Sequence, residues 1–477
     1  MSDARSVIIS VGALYFVAVA GIGLWASRRT RTVTDFYLAG RGIGLVTLTL
    51  GALSATLSGF AFIGGPGLVQ SVGLGALFIV LPAALTNALS GWVLAPQLRR
   101  LADTHDVVTI PEALGVRFSS RAVHGGSAVA LLIAVVGYMA TNVLALGLAV
   151  DTIFGTGLDA GIWMGTLVVV AYAAGGGIIA GLYTDVLQGL WMAVASTLVF
   201  IVALRVGPGL AELSRAIAAT DPGFLEPWGH LDPLTAVSFF FVFSVGVLGQ
   251  PHVLHKFYML RDPQSLRWYP LLMSTVLVLS TLLLFGVGMA VKALVATGRM
   301  PPLASPDQAT PRFLLEHTPA LVAALALSGV VAAIMSTLNS FVNIGAAALT
   351  HDLPRALGHP VPRRLAPGRW ATVALCVAAA VVAQLSDTLV AFLGIFGWGL
   401  FASTLVPGLA LGLNWPRATH QAALASIATG LIGTLALESA AWLGWLTLPA
   451  GLVVSALTLV ASLLVFVVVS WATGART

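Results

Sequence analysis

Apolar residues run along this chain in blocks of about 20, separated by short polar stretches. Thirteen blocks lie at roughly 6–27, 43–71, 74–97, 122–150, 160–182, 186–206, 233–254, 269–294, 319–349, 369–386, 388–413, 421–443 and 448–472. A helix of about 20 residues spans the roughly 30 Å hydrocarbon core of a bilayer, so the pattern predicts membrane-crossing helices. Barrel strands alternate over about 10 residues, and no such alternation occurs. Two blocks are interrupted. The second, LTLGALSATLSGFAFIGGPGLVQSVG, carries Ser54, Thr56, Ser58 and Gly59 in mid-span, then Gly64, Gly65, Pro66 and Gly67. The seventh, SFFFVFSVGVLGQPHVLHKF, is broken by Gly246, Gly249 and Pro251. Gly and Pro release backbone carbonyls from the helix ladder, which membrane proteins tolerate where protein covers them or they line a cavity. Discontinuous helices of this kind hold ions and substrates in secondary transporters. A Gly-rich packing face is the plainer alternative. The starts of the two broken blocks are five helices apart, the spacing of two inverted repeats, 43–206 and 233–413. Block 6–27 precedes them and 421–472 holds two more helices, all in one membrane domain over 1–477.

The ninth block breaks the apolar pattern differently. At 100° per residue, Ala333, Ser336, Thr337, Asn339, Ser340 and Asn343 fall within roughly 160° of arc. The opposite face, Val331, Ile334, Met335, Leu338, Phe341 and Val342, is apolar and predicted to meet lipid or pack. Hydroxyls and amides at this depth face other helices or a wet cavity, and hydroxyl oxygens suit hard cations. The alternative is that Ser and Thr bond back to their own helix while Asn bonds a neighbour.

Composition removes other classes. The 477 residues are 58% hydrophobic and 9% charged, with mean hydropathy +0.97, which no soluble domain matches. The formal charge of +5 does not indicate nucleic acid, because the basic residues sit in short loops. Seventeen of the 23 Lys and Arg residues, Arg28, Arg99, Arg117, Lys256, Arg267 and Arg355 among them, fall on one side if the N-terminus is outside. That asymmetry predicts an N-terminus outside and a cytoplasmic C-terminus in a cell membrane. Block 6–27 is read as a retained helix rather than a leader. Cys376 is the sole cysteine, so no internal disulfide or Cys-based metal site forms.

Other chemistry is sparse. Asp185 lies at the junction of blocks five and six and reads equally as a helix N-cap or as a cation ligand or relay. His252 and His255 have no carboxylate or Cys to complete a metal set and read as interfacial or capping residues. The loop 104–120 is expected to form an amphipathic surface helix without chemistry. No HExxH, GxSxG or Walker motif occurs, so an enzyme is not indicated. No cofactor or protein partner is expected besides the bilayer.

Several stretches resemble the sodium:solute symporter family, most of all its proline and pantothenate branches. They are DFYLAGRGIG at 35–44, LSGFAFIGGPG at 57–67, YTDVLQGLWM at 183–192, GQPHVLHKF at 249–257, AAIMSTLNS at 332–340, LTHDL at 349–353 and VPGLALGLNWPRATHQAALAS at 406–426. They cover almost the whole chain. The resemblance implies an all-α polytopic protein of about 13 spans. It has a LeuT-type core of five plus five helices, with one extra helix before and two after. It also implies sodium-coupled uptake of a small organic solute, with Na+ as the coupling ion. The sodium site it implies uses the carbonyls of Ser54, Leu57 and Ala333 and the hydroxyls of Ser336 and Thr337. A second sodium site, used by some members, matches Asp185 and Ser340, with Asn339 replacing a hydroxyl.

The implied substrate wall is Thr56, Ser58, Gly59, Phe60, Phe243 and Val247, with Phe396 and Trp398 beside it. Proline carriers have Asp at Thr56 and aromatics at Phe243 and Val247, so this chain departs from the proline pattern. A proton-coupled carrier with Asp185 titrating and a non-transporting solute sensor are the alternatives. A passive channel would need a filter sequence or charge ring that the chain lacks.

Overall fold

A computed structural model describes residues 2–27, 42–105, 107–206, 209–361, 366–386, 388–449 and 451–474. Residues 35–41 of the DFYLAGRGIG stretch, together with Arg28, Arg29, Arg31, Arg41, Arg363, Arg364 and Arg476, lie outside the described set. Among the described residues the elements are helical, with one isolated bridge between Ile43 and Leu260. Among the described residues ten helices are long and apolar enough to cross a membrane, and three shorter apolar helices lie at 6–22, 45–56 and 158–171.

The elements that position the site are, in chain order, α1 (Ser2–Ser27), α2 (Leu45–Thr56), α3 (Gly65–Val72), α4 (Ile110–Arg117), α5 (Arg121–Phe154), α6 (Leu158–Arg205), α7 (Pro233–Gly246), α8 (Pro251–Leu254), α9 (Tyr269–Ala296), α10 (Ala320–Ala347), α11 (Ala366–Gln384), α12 (Val390–Val406), α13 (His420–Trp442) and α14 (Val454–Thr473). The spans containing α5, α10 and α12 are 78%, 78% and 83% buried and form the centre. Helix α10 packs against α6, α5, α1, α11 and α2. Its apolar face is a packing face: Ile334, Leu338, Phe341 and Val342 are fully buried. Helices α13 and α14 pack on one another and on α12, outside the core. Lipid-facing sides show in the exposed Leu14 and Val17 of α1 and Leu464 and Val468 of α14. Exposed Trp442, Trp445 and Trp471 lie at or beyond helix ends, where indole rings settle at a membrane interface.

Blocks five and six form one unbroken run of helix, α6, where two helices are predicted. A straight helix of that length would measure about 72 Å, more than twice the membrane. Gly161 packs on Gly147 near the end of α5, Gly181 meets Asn339 in the second half of α10, and Ala195 meets Gly329 nearer its start. From 181 to 195 the chain therefore runs antiparallel to α10. Asp185 lies within this run and caps no helix start.

The loop 104–120 also differs from expectation. Its helix α4 is buried rather than on the surface, with Ile110, Pro111, Glu112 and Leu114 inside. Thr109 caps it by accepting from Glu112 N at 3.1 Å, and Glu112 Oε2 accepts in turn from Val108 N at 2.9 Å.

Candidate functional site

The site begins at the break between α2 and the turn Phe60–Gly64. Helix α2 stops at Thr56, and Leu57 is extended at φ −76°, ψ 106°. The chain re-enters helical geometry at Gly59, whose N–H donates to Asn142 Oδ1 at 2.8 Å. Asn142 thus satisfies an orphan donor that the break creates. Its amide donates to Tyr138 O at 3.0 Å, which fixes the side chain.

The carbonyls freed by the break face α10. Ser336 Oγ lies 2.7 Å from Ser54 O and 2.9 Å from Ala333 O. Thr337 Oγ1 lies 3.1 Å from Ala55 O and 3.2 Å from Leu57 O. Ser54, Ser336 and Thr337 are fully buried. All five residues expected for the sodium site therefore meet in one cluster, with Ala55 as an addition the sequence reading missed. Every donor atom is a neutral hard oxygen, a set suited to an alkali or alkaline-earth cation and not to a soft metal. The C-terminal end of α2, with its partial negative charge, points into the cluster.

Next to it lies a small cleft with a free volume of about 50 Å³, room for a few waters. Of the expected substrate wall, Thr56, Phe60 and Phe243 line it, and so does Trp398. Phe243 stacks on Phe60 with centroids 6.1 Å apart and on Trp398 at 5.3 Å. Ser58, Gly59 and Val247 stand behind this wall. Ser58 Oγ is 3.3 Å from Tyr138 Oη; Gly59 is against Ala145; Val247 is buried in the break of the seventh span, which falls at Val247–Gln250. Phe396 instead packs on Gly137 of α5. Tyr138 and Thr281 also line it, with aliphatic residues such as Ile79, Leu277 and Leu284; a Tyr and an Asn within the fourth apolar block were the signal that would have found the Tyr138 helix. The hydroxyls of Thr56 and Thr281 bond to their own helices at Ala52 O and Val278 O, both at 2.8 Å.

Asp185 and Ser340 border a second, smaller cavity together with Asn339, Asn343 and Lys256. Lys256 Nζ donates to Asp185 Oδ2 at 2.8 Å, both side chains being buried. Asn343 bonds within its own helix, to Asn339 O at 2.9 Å, rather than to a neighbouring one. His252 is tilted against Phe341 and stacked on Tyr138. His255 Nε2 pairs with Val108 O at 3.0 Å.

The sequence matches the sodium:solute symporter family model over residues 36–430. It is 30% identical over 441 residues to the osmoregulated proline transporter OpuE of Bacillus subtilis, covering 89% of this chain and 87% of the relative. It is 26% identical over 446 residues to the sodium/pantothenate symporter of Escherichia coli, covering 90% and 91%. Among solved structures it is similar to a Na+-coupled sialic acid symporter in a substrate-bound outward-open state, with a TM-score of 0.79, 18% identity and 98% of both chains covered. A nucleobase-cation-symport-1 family transporter, Mhp1, shares the fold with a TM-score of 0.57 at 14% identity over 91% and 92%. The fold is thus the all-helical LeuT type, and the chain belongs to the sodium:solute symporter family.

Proposed function

We propose that this protein imports a small organic solute by sodium-coupled symport across the cell membrane. The observation that carries the reading is the set of neutral oxygens where Ser336 and Thr337 meet the carbonyls of Ser54, Ala55 and Leu57. In the absence of an ion, those hydroxyls donate to the carbonyls. A sodium ion entering the cluster would turn the hydroxyl lone pairs inward and join α2 to α10. Sodium thereby favours the arrangement in which the adjoining cleft is built, and solute binds there. The bundle then rocks and the site opens inward. Entry of each positive charge gains about 2.3 kcal/mol per 100 mV of inside-negative potential.

The cleft supports a compact solute with an apolar body. Its wall is aromatic and aliphatic, and among the described residues no carboxylate or ammonium lines it. Two of its hydroxyls are already engaged, so a polyol would lose more hydrogen bonds to water than it regains. We infer a small neutral amino acid or short carboxylic acid, whose charge the neighbouring sodium ion would offset. The relatives above are named for proline and pantothenate, and Thr56 and Val247, where proline carriers have Asp and an aromatic, argue against proline itself. The proton-coupled alternative requires Asp185 to take up and release protons, yet the Lys256 ammonium holds its carboxylate.

Proteoliposomes supplied with radiolabelled amino acids, monocarboxylates and pantothenate-like acids test the proposal. Uptake is expected only with an inward sodium gradient. Thr337→Ala is expected to raise the half-saturating sodium concentration at least tenfold with protein abundance unchanged. Full-rate uptake in sodium-free buffer would sink sodium coupling.

A further inference from the structure

Lys256 enters the cavity bordered by Asp185 and Ser340 from the segment that follows the second broken helix. Its ammonium donates to Asp185 Oδ2 at 2.8 Å, while Asp185 Oδ1 is buried with no hydrogen-bond partner among the described residues. Ser340, Asn339, Asn343, His252 and His255 line the same cavity, with Asn343 Nδ2 donating to Asn339 Oδ1 at 3.3 Å. These are the ingredients of a cation site, with a cation already present that is covalently part of the chain. The free volume is about 20 Å³, enough for one water-sized particle. Gly51 of α2 lies beside this pair. A Cβ there would lie 3.7 Å from Lys256 Nζ, 3.9 Å from Asp185 Cβ and 3.0 Å from Leu182 Cδ1. Gly51 precedes Ser54 by three residues on α2, roughly 4.5 Å along the axis. The ammonium thus stands about one turn from the candidate sodium cluster.

We propose that the Lys256 ammonium is the built-in cation of this cavity and that the protein therefore binds one sodium ion, not two. The inference rests on the sodium-coupled reading above. One carboxylate balances one charge, and Lys256 supplies it. A free cation beside the ammonium would feel a like charge about 4 Å away. At an effective dielectric constant of about 20, that repulsion weakens binding by roughly a thousandfold. Removing the ammonium while keeping the apolar stem leaves a one-atom gap beside an unbalanced carboxylate, and a sodium ion fits the vacated charge.

The test is the count of radiolabelled sodium bound at saturation by the purified full-length protein. It needs no knowledge of the solute. Wild type is expected to bind one ion, held at least tenfold more weakly in Thr337→Ala. Lys256→Met is expected to bind two, and Lys256→Met with Asp185→Asn one again. The double variant removes both charges, so it also separates a lost site from a failed fold. Two ions in the wild type, or one in a monodisperse Lys256→Met, overturns the proposal and leaves sodium coupling standing. No bound sodium in the wild type overturns the sodium-coupled reading itself.

Discussion

Gly59 shows how one residue sustains the break in the first core helix. Its N–H goes to Asn142 and its α-carbon sits against α5, where a Cβ would come 2.5 Å from Ala145 Cβ. No rotamer relieves that contact, because both groups are fixed to backbone. Gly59→Ala is therefore expected to destabilise by about 1–3 kcal/mol, the usual cost of overpacking. Ala145→Gly in the same chain should recover most of the lost melting temperature. Independent, additive effects of the two substitutions would show that the contact is not what requires glycine. Asn142→Ala acts at the same point by leaving the Gly59 N–H unpaired, and should also lower the melting temperature.

Between elements, polar ties hold the two ends of the bundle. At one end the segment Pro306–Gln308 bridges α3 and α12. Pro306 O lies against Gly67, and Asp307 Oδ2 accepts from Val390 N at 2.9 Å, capping α12 in trans. Burial raises the Asp307 carboxyl to about 6 from its ordinary 3.8, against the pull of the Val390 N–H. A raised carboxyl favours the folded state most when protonated, so this stability is full below about 4 and lost as pH rises through about 6. Asp307→Asn keeps an acceptor and removes the charge. It should melt a few degrees above wild type at pH 7.5, with the gap closing between pH 6 and 4. A gap independent of pH would rule out the carboxyl as its source. At the other end α4 is clamped by Thr109 and His124 on Asp352, at 2.6 and 2.9 Å, and by Arg355 on Glu112. Burial opposes ionisation of Glu112, but its bonds to His351 and Val108 and the nearby charges bring its pKa below the ordinary value.

For the whole molecule, the distribution of charge places Arg99, Arg117, Lys256 and Arg355 toward the end where α4 sits. Asp221 and Lys292 pair at the opposite end at 2.7 Å. Following the positive-inside rule, we expect the α4 end to be cytoplasmic. Cys376 is buried, which leaves a quiet background for single-cysteine labelling. In intact cells a membrane-impermeant maleimide should label Thr220→Cys, on an exposed helix at the Asp221 end, and miss Gln264→Cys until the cells are permeabilised. The reverse pattern would invert the orientation.

What the sequence determined by itself was local in origin. A bilayer forces each apolar block to satisfy its own backbone, so blocks of about 20 residues had to be helices. Gly, Pro and hydroxyl residues inside two of them marked the breaks, and the polar arc at Ser336 and Thr337 marked the helix that faces one. Only the tertiary structure decided what meets across the chain. Lys256 reaches Asp185 over 71 positions, and no local pattern distinguishes a lysine that neutralises a buried carboxylate from one that sits in a loop. Tyr138 and Asn142 became site residues because α5 lies behind the break, and Glu112 became a buried clamp because α4 folds inward. Those contacts depend on how helices pack, which hydropathy along a single helix does not encode.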